Sequence, residues 1–415
     1  MAISRRDFLT SAVAGTTLAA AGCAKDRAAA GKTAALHRRA AGANDRIRCG
    51  FIGIGSRAGS ILQSTLPFED VDVVAVADTY DTNRAKALAA CKTKYADATE
   101  FVRFEEMLEK AKLDCIVTGT PDHVHAPVIL AALDAGLDVY TEKPMTLTWE
   151  TARQVRDRAR AACAVVQVGT QLRSMTMYQR LREVLQSGEL GKPLRVWVNR
   201  DADAEPLDRS LMPKDGTEAA THWPLFLRDT KHYDFDALRY FRWRQFKEYS
   251  NGYFGDLMLH HLDMCHFVTG CGMPSRVKAV GGIYCMKDGR TTADTVSAVI
   301  EYPKEEFLFN YSTTMGNGHY GLVERYLCTK GTVEVRGMGE MSIFRGDQEE
   351  KVPSAGILNE PHLQDFFDAM RSRKATIAPV DAGLMGAACA HMAVMSMESG
   401  KAAAWDADAE RVVLV

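Results

Sequence analysis

Asp256, His260 and Asp263 are spaced four and three residues apart within YSNGYFGDLMLHHLDMCHFVTG (249–270). At helical spacing the three side chains share one face. A histidine among carboxylates suits proton exchange, because an unperturbed imidazole has a pKa of about 6.5 and works in both directions near neutrality. A second charged group lies far upstream. DVYTEKPMTLTWE (138–150) reads as a short apolar strand that ends on Glu142-Lys143-Pro144 and gives way to a helix. At an arbitrary strand end such a pair is a solvated turn, so its meaning depends on the sheet that carries it. Zinc is a competing reading, since Asp256, His260, His261 and His266 are close in sequence. Adjacent His260 and His261 point in different directions on a helix, however, and no thiolates stand at ligand spacing, so no metal is expected.

The elements that must position these groups begin with RIRCGFIGIGSRAGSIL (46–62), a strand, a glycine turn and a helix start. Gly53, Gly55 and Gly59 form G-x-G-x-x-x-G, with Ala58 where a third glycine often stands. Such a turn lets backbone N–H groups approach a pyrophosphate at a helix N-terminus. The next strand pattern, VDVVAVAD (71–78), ends on Asp78. That is about 20 residues past the glycine turn, where a carboxylate accepts from the ribose hydroxyls and repels a 2′-phosphate. Asp78 therefore favours NAD over NADP. Strand patterns at 113–121, 137–144 and 164–171 alternate with helical ones at 84–95, 104–112, 124–136 and 148–162. This alternation predicts a Rossmann-type, doubly wound parallel sheet. Ligands of such sheets bind beyond the carboxyl ends of the strands. Glu142 and Lys143, Thr120-Pro121-Asp122-His123, and Gln171-Leu172-Arg173 all stand at such ends.

The ordered set Gly53-x-Gly55, TPDHVH, EKP, QVGTQLRS and GDLMLHHLD resembles the Gfo/Idh/MocA oxidoreductases, named for glucose–fructose oxidoreductase and inositol dehydrogenase. The resemblance covers nearly the whole chain after residue 45. It implies that Lys143 contacts both nicotinamide ribose and substrate, with a cis bond before Pro144. It implies that His260 exchanges a proton with a substrate hydroxyl and that Asp256 orients the substrate or the imidazole. Cofactor contacts are implied for Gly53, Ile54, Gly55, Ser56, Arg57, Asp78, Thr120, Pro121, His123, His125, Glu142, Lys143 and Gln171. Substrate contacts are expected from Arg173, Tyr253, His261 and Asp263.

The second half carries strand patterns at 192–201, 275–286, 294–303, 307–315, 325–337 and 340–346, with few helices between them. This predicts an α+β domain built on a large, mostly antiparallel, open-faced sheet, which family members share. Helices are expected at 178–191, 361–373 and 382–400. The expected organisation is an export signal and tether over 1–45, an NAD-binding domain over 46–170, and a substrate and oligomerisation domain over 171–415. His222, Trp223, Arg242, Trp243 and Tyr253 form an aromatic, basic region, and aromatic faces stack on sugar rings.

A net charge of -2 over 415 residues suggests no nucleic acid. Past the N-terminus no run of about 18 apolar residues is expected to span a membrane. SRRDFLTSAVAGTTLAAAGCAK, with paired Arg5 and Arg6, reads as a twin-arginine export signal. Cys23 in LAAAGC is a candidate for lipidation, the one route to membrane attachment. A periplasmic or cell-surface location follows. Of ten cysteines, Cys49, Cys115 and Cys163 read as small buried hydrophobes, and Cys265 with Cys271 is the pair to watch for a disulfide.

The leading expectation is a dehydrogenase acting on a sugar, sugar derivative or cyclitol. An exported enzyme meets no free NAD pool, so the cofactor should be tightly held. The alternative is an NAD-dependent glycosidase that oxidises, eliminates, hydrates and reduces, with Tyr253, His261 or His222 as the extra base. A non-catalytic sugar-binding relative is disfavoured by the intact Lys143, Asp256 and His260. A homodimer or homotetramer is expected from the open sheet face by analogy.

Overall fold

The computed structural model describes residues 46–354 and 356–415. The expected export signal and tether over 1–45, with Cys23, lie outside the described residues.

The first sheet has six parallel strands: β1 (Ile47–Ile52), β2 (Val71–Ala77), β3 (Thr99–Phe101), β4 (Cys115–Thr118), β5 (Asp138–Glu142) and β6 (Val166–Gly169). Their order is β3-β2-β1-β4-β5-β6, the doubly wound arrangement. β2, β4, β5 and β6 are buried at every position, because helices cover both faces of a parallel sheet and leave no polar side. The covering helices are α1 (Ser56–Thr65), α2 (Asp81–Lys92), α3 (Phe104–Lys110), α4 (Asp122–Asp134) and α5 (Trp149–Ala161). Helix α5 starts just beyond the Lys143 loop, where Thr148 Oγ1 caps it by accepting from Thr151 N.

After α6 (Thr176–Ser187) the chain enters a ten-stranded sheet. Its strands are β7 (Pro193–Arg200), β8 (Arg276–Gly282), β9 (Thr295–Tyr302), β10 (Phe307–Thr314), β11 (Leu322–Cys328), β12 (Thr332–Arg336), β13 (Glu340–Arg345), β14 (Gln348–Pro353), β15 (Ala403–Asp406) and β16 (Arg411–Leu414). The pairs are antiparallel except β7 with β10, which run parallel. Alternating burial along β8 and β9 shows one face on the core and one toward solvent. Between β7 and β8 lie three short helices, α7 (Glu218–Thr221), α8 (Trp223–Leu227) and α9 (Ala237–Phe241). A π-helical turn, Phe254–Met258, follows them and runs into α10 (Leu259–Thr269).

The last helices join the two sheets. α11 (Glu360–Ser372) sends Leu363, Phe366 and Phe367 back into the core of the first sheet. α12 (Val380–Ser399) places Leu384 and Ala387 in one core and Cys389, Met392 and Ala393 in the other.

Several expectations change. Residues 325–337 are two strands, because Gly331 O accepts from Cys328 N and turns the chain. β3, β14, β15 and β16 were not anticipated; they are short or edge strands with weak alternation. α12 is, by length and composition, apolar enough to cross a membrane, contrary to the sequence reading, but it packs within these cores. Cys265 and Cys271 are both buried free thiols, not a disulfide. Cys49 and Cys115 are buried as expected, whereas Cys163 is exposed, with φ 49° in the turn after α5.

Candidate active site

Gly53 begins the nucleotide side. It adopts φ +72°, and a Cβ there would lie 2.5 Å from Thr120 Cγ2. Only glycine tolerates both the backbone angle and the contact. A Cβ on Gly119 would lie 2.8 Å from the Ala58 methyl, so Gly119 makes room for Ala58 in α1. Asp78 closes β2, accepting from Ile54 N at 2.5 Å and Tyr80 N at 2.7 Å. Burial pushes its carboxyl up to about 6, against these two bonds and the Arg84 charge.

These residues open onto a cavity of about 610 Å³, lined by Gly53, Gly55, Ser56, Asp78, Thr120 and Pro121 among others. Thr120 Oγ1 is buried there without a partner among the described residues. A glycine cradle against Thr120, an orphaned hydroxyl and a carboxylate at the end of β2 fit the ribose and pyrophosphate of a dinucleotide. The far wall comes from the segment between β7 and α10: Pro213, Phe226, Tyr240, Phe241 and Trp243 also line the cavity. Thr79 and Tyr240 hydroxyls meet at 2.7 Å, Arg228 pairs with Glu105 at 3.0 Å and His222 with Asp81 at 3.1 Å. Trp223 stacks on Phe226 inside this segment, so Trp223 is a core aromatic.

The catalytic side lies beyond β5. The Lys143–Pro144 bond is cis. Lys143 Nζ donates to Asp256 O at 2.6 Å and to Asp256 Oδ1 at 2.9 Å. Arg244 Nε stands 3.5 Å from the same carboxylate oxygen. Burial opposes ionisation of Asp256, but Lys143 and Arg244 outweigh it and hold the carboxyl well below the usual carboxylate range. His260 is half-buried, and its Nδ1 has no hydrogen-bond partner among the described residues. Burial and the Lys143 charge push its proton affinity well down, so the ring is neutral and ready to accept a proton.

Asp122, at the start of α4, belongs to this cluster; the sequence reading placed it at a ligand-binding strand end but gave it no role. It is 4% exposed, and burial pushes its carboxyl up to about 7 despite Arg244 and Lys143. A Cβ on Gly255 would lie 3.8 Å from Pro144 and 3.9 Å from Asp122, so the π-turn packs directly on both loops. Asn251 Nδ2 ties this region to Leu147 O at 2.7 Å. The signal for Asp122 was available, since it stands in TPDHVH at a strand end.

Other expected site residues are engaged elsewhere. Arg173 and Asp263 form a buried bidentate pair at 2.7 and 2.8 Å, and Arg173 also donates to Ile377 O. His261 meets Glu324 at 3.0 Å in a buried network with Tyr178. All three are therefore core ties, a correction to the expected substrate contacts. Asp263 lies one helical turn past His260, which carries it from the cleft to Arg173. His123 donates from Nε2 to Phe226 O at 2.8 Å, and His125 bridges Pro144 O at 2.6 Å and Thr120 O at 2.8 Å. These two histidines join loops. Gln171 Nε2 and Arg57 Nε converge on Glu142 Oε1 at 2.7 and 3.0 Å, which makes Glu142 the hub behind Lys143. Tyr253 is buried near Arg290, Gln245 and Asp256; burial raises its phenol, with Arg290 and Gln245 opposing.

The doubly wound sheet joined to an open-faced α+β sheet, with a nucleotide cavity whose lining residue Arg244 reaches the Lys–Asp–His cluster, defines a two-domain protein of the dinucleotide-binding oxidoreductase type. The chain belongs to the Gfo/Idh/MocA oxidoreductase family: residues 47–170 match its NAD-binding Rossmann fold and residues 229–404 its C-terminal alpha/beta domain. It is 31% identical over 166 residues to inositol 2-dehydrogenase 4 of Saccharopolyspora erythraea, covering 39% of this chain and 48% of that one. It is 29% identical over 120 residues to a glycosyl hydrolase family 109 protein of Shewanella putrefaciens, covering 28% and 26%. Matches to such curated relatives thus span about half of their length or less. A levoglucosan dehydrogenase, solved with NADH and levoglucosan, superposes with a TM-score of 0.68 over 86% of this chain and 98% of that one at 18% identity, a likeness of fold.

Proposed function

We propose that the protein is an NAD-dependent oxidoreductase acting on a CH–OH group of a sugar, sugar derivative or cyclitol. The observation that carries this reading is the Lys143–Asp256 pair beside a neutral, unpartnered His260, at the strand ends next to the dinucleotide cavity. When bound, NAD supplies the hydride acceptor at nicotinamide C4. His260 takes the hydroxyl proton. The Lys143 ammonium stabilises negative charge developing on the same oxygen, and Asp256 holds that ammonium in place. Asp78 favours NAD over NADP. The wall formed by the segment between β7 and α10 supports tight retention of the cofactor, which export through a twin-arginine signal would require. A periplasmic or surface location, lipidation at Cys23 and a homo-oligomer built on the open sheet face belong to the same proposal.

The test is direct. Purified protein mixed with sugars and cyclitols should develop lasting reduced-nicotinamide absorbance, and mass spectrometry of denatured protein should release NAD. No absorbance change with any polyol would sink the dehydrogenase reading.

A second reading, an NAD-dependent glycosidase, is favoured by the likeness to the family 109 protein. Of its three candidate bases, His261 is tied to Glu324 and His222 to Asp81, and burial keeps the Tyr253 phenol protonated. Asp122, with a carboxyl near neutrality, is the base the cluster offers instead. Release of p-nitrophenol from aryl glycosides with no lasting change in cofactor redox state would select this reading.

A further inference from the structure

β7 ends on Arg200. Val196 and Val198 of this strand are fully buried, and alternation places Arg200 on the same, helix-covered face. On the parallel neighbour β10, Tyr311 stands opposite Val198. Tyr311 is 2% exposed, and its hydroxyl is buried with no hydrogen-bond partner among the described residues. The neighbouring Thr313 Oγ1 is committed to the Arg200 carbonyl.

The cations around the catalytic cluster are otherwise engaged. Lys143 and Arg244 face Asp256, Arg173 pairs with Asp263 and Arg290 with Asp288. The half-buried Arg200 side chain makes no hydrogen bond or ion pair with any described residue. Glu324 lies on the same face of the adjoining β11, but Tyr178, Tyr326 and His261 already saturate it. Arg200 nevertheless acts on the catalytic side. His260, depressed first by burial and Lys143, is lowered further by the Arg200 charge. Tyr311, raised by burial, is drawn partly back by the neighbouring Thr313 side chain and then by the same charge.

We propose that Arg200 and the Tyr311 hydroxyl form a subsite for a carboxylate on the substrate, so that the substrate is a sugar acid. The class "sugar" rests on the oxidoreductase reading above; the carboxylate does not. A guanidinium presents two parallel N–H donors that match the two oxygens of a carboxylate, and a phenol adds one more. Polar groups left unpaired inside a cleft are unfavourable until a ligand completes them. A carboxylate would also balance the Arg200 charge, which no described residue pairs with.

Calorimetric titration of the NAD-loaded protein tests this, using a panel of hexuronates, the parent neutral hexoses and their 6-phosphates. The wild type should bind at least one uronate about tenfold or more tightly than its parent hexose, the size expected of one charge-assisted contact. Arg200→Gln should abolish that preference, Arg200→Lys should keep part of it, and Tyr311→Phe should reduce it several-fold. Equal affinity for acid and parent sugar across the panel overturns the proposal, as does a preference that survives Arg200→Gln. A phosphate preference lost in Arg200→Gln overturns the carboxylate assignment. If Arg200→Gln does not fold, Arg200→Lys and Tyr311→Phe decide the matter. Failure of the oxidoreductase reading would look different: uronate binding that depends on Arg200, with no reduced nicotinamide formed.

Discussion

Lys143 donates to both the main-chain carbonyl and the carboxylate of Asp256, at 2.6 and 2.9 Å, although the two lie 113 residues apart. One residue ends a parallel strand and the other stands in a π-turn. Two contacts on one ammonium fix its position more tightly than a single surface ion pair does, and the Lys143 side chain is only 10% exposed. The cation is thereby set beside His260.

Removing that cation should abolish most activity without unfolding the protein. Lys143→Ala is expected to lower kcat/KM by about 10²–10³-fold, the range for loss of one electrostatic stabiliser. His260→Ala should cost about 10²–10⁴-fold. Bound NAD should remain. Steady-state kinetics and cofactor content check both, and activity near the wild-type level in either variant would refute the assignment.

The proton affinity of His260 should rise when its depressing neighbour is removed. The wild-type ring is held below the ordinary value of about 6.5 by burial and Lys143. In Lys143→Met the burial contribution stays and the charge is gone, so an NMR titration should place the midpoint higher than in the wild type. An unchanged or lower midpoint would show that the two groups do not interact.

Asp122 makes stability depend on pH. Its carboxyl is raised to about 7 when folded, against about 4 in an unfolded chain. Between these values the folded state holds more protons than the unfolded state, so this group's contribution falls as pH rises from about 4 to about 7. Asp122→Asn should remove that slope. Thermal unfolding of both proteins from pH 5 to 8 is the check, and parallel Tm profiles would contradict it.

Asp78 should govern cofactor choice. A 2′-phosphate beside its carboxylate would meet a like charge, which costs several kcal/mol. Asp78→Ala should therefore raise NADP affinity relative to NAD by about tenfold or more. Titrations with the two reduced cofactors followed by fluorescence measure the ratio.

Asp263 should behave as a structural residue. Asp263→Ala leaves Arg173 buried without its partner, a change that typically costs about 3–5 kcal/mol. Chemical denaturation should report this loss, with KM for substrate little changed in protein that remains folded. A stable variant with a sharply raised KM would return Asp263 to the substrate site.

The residue order was enough for the first sheet, apart from the three-residue edge strand β3, because its signals are local. Continuous apolar runs, a glycine turn and an acidic residue after β2 are all readable from short windows, and so was the Lys143-Pro144 strand end. The second sheet was legible as a class but not in its edges, since β14, β15 and β16 depend on partners far away in the chain. Asp256, His260 and Asp263 looked equivalent by spacing. In the fold the π-turn sets Asp256 against Lys143, while Asp263 meets Arg173.

What the sequence determined by itself was the pattern of elements, the family and the chemical types present. What only the tertiary structure decided was which of those types face one another. Burial and neighbouring charge made His260 neutral and brought Asp122 near neutrality, and the packing left Arg200 without a partner among the described residues. Those properties belong to pairs of residues distant in the chain, and spacing along one strand or helix carries no record of them.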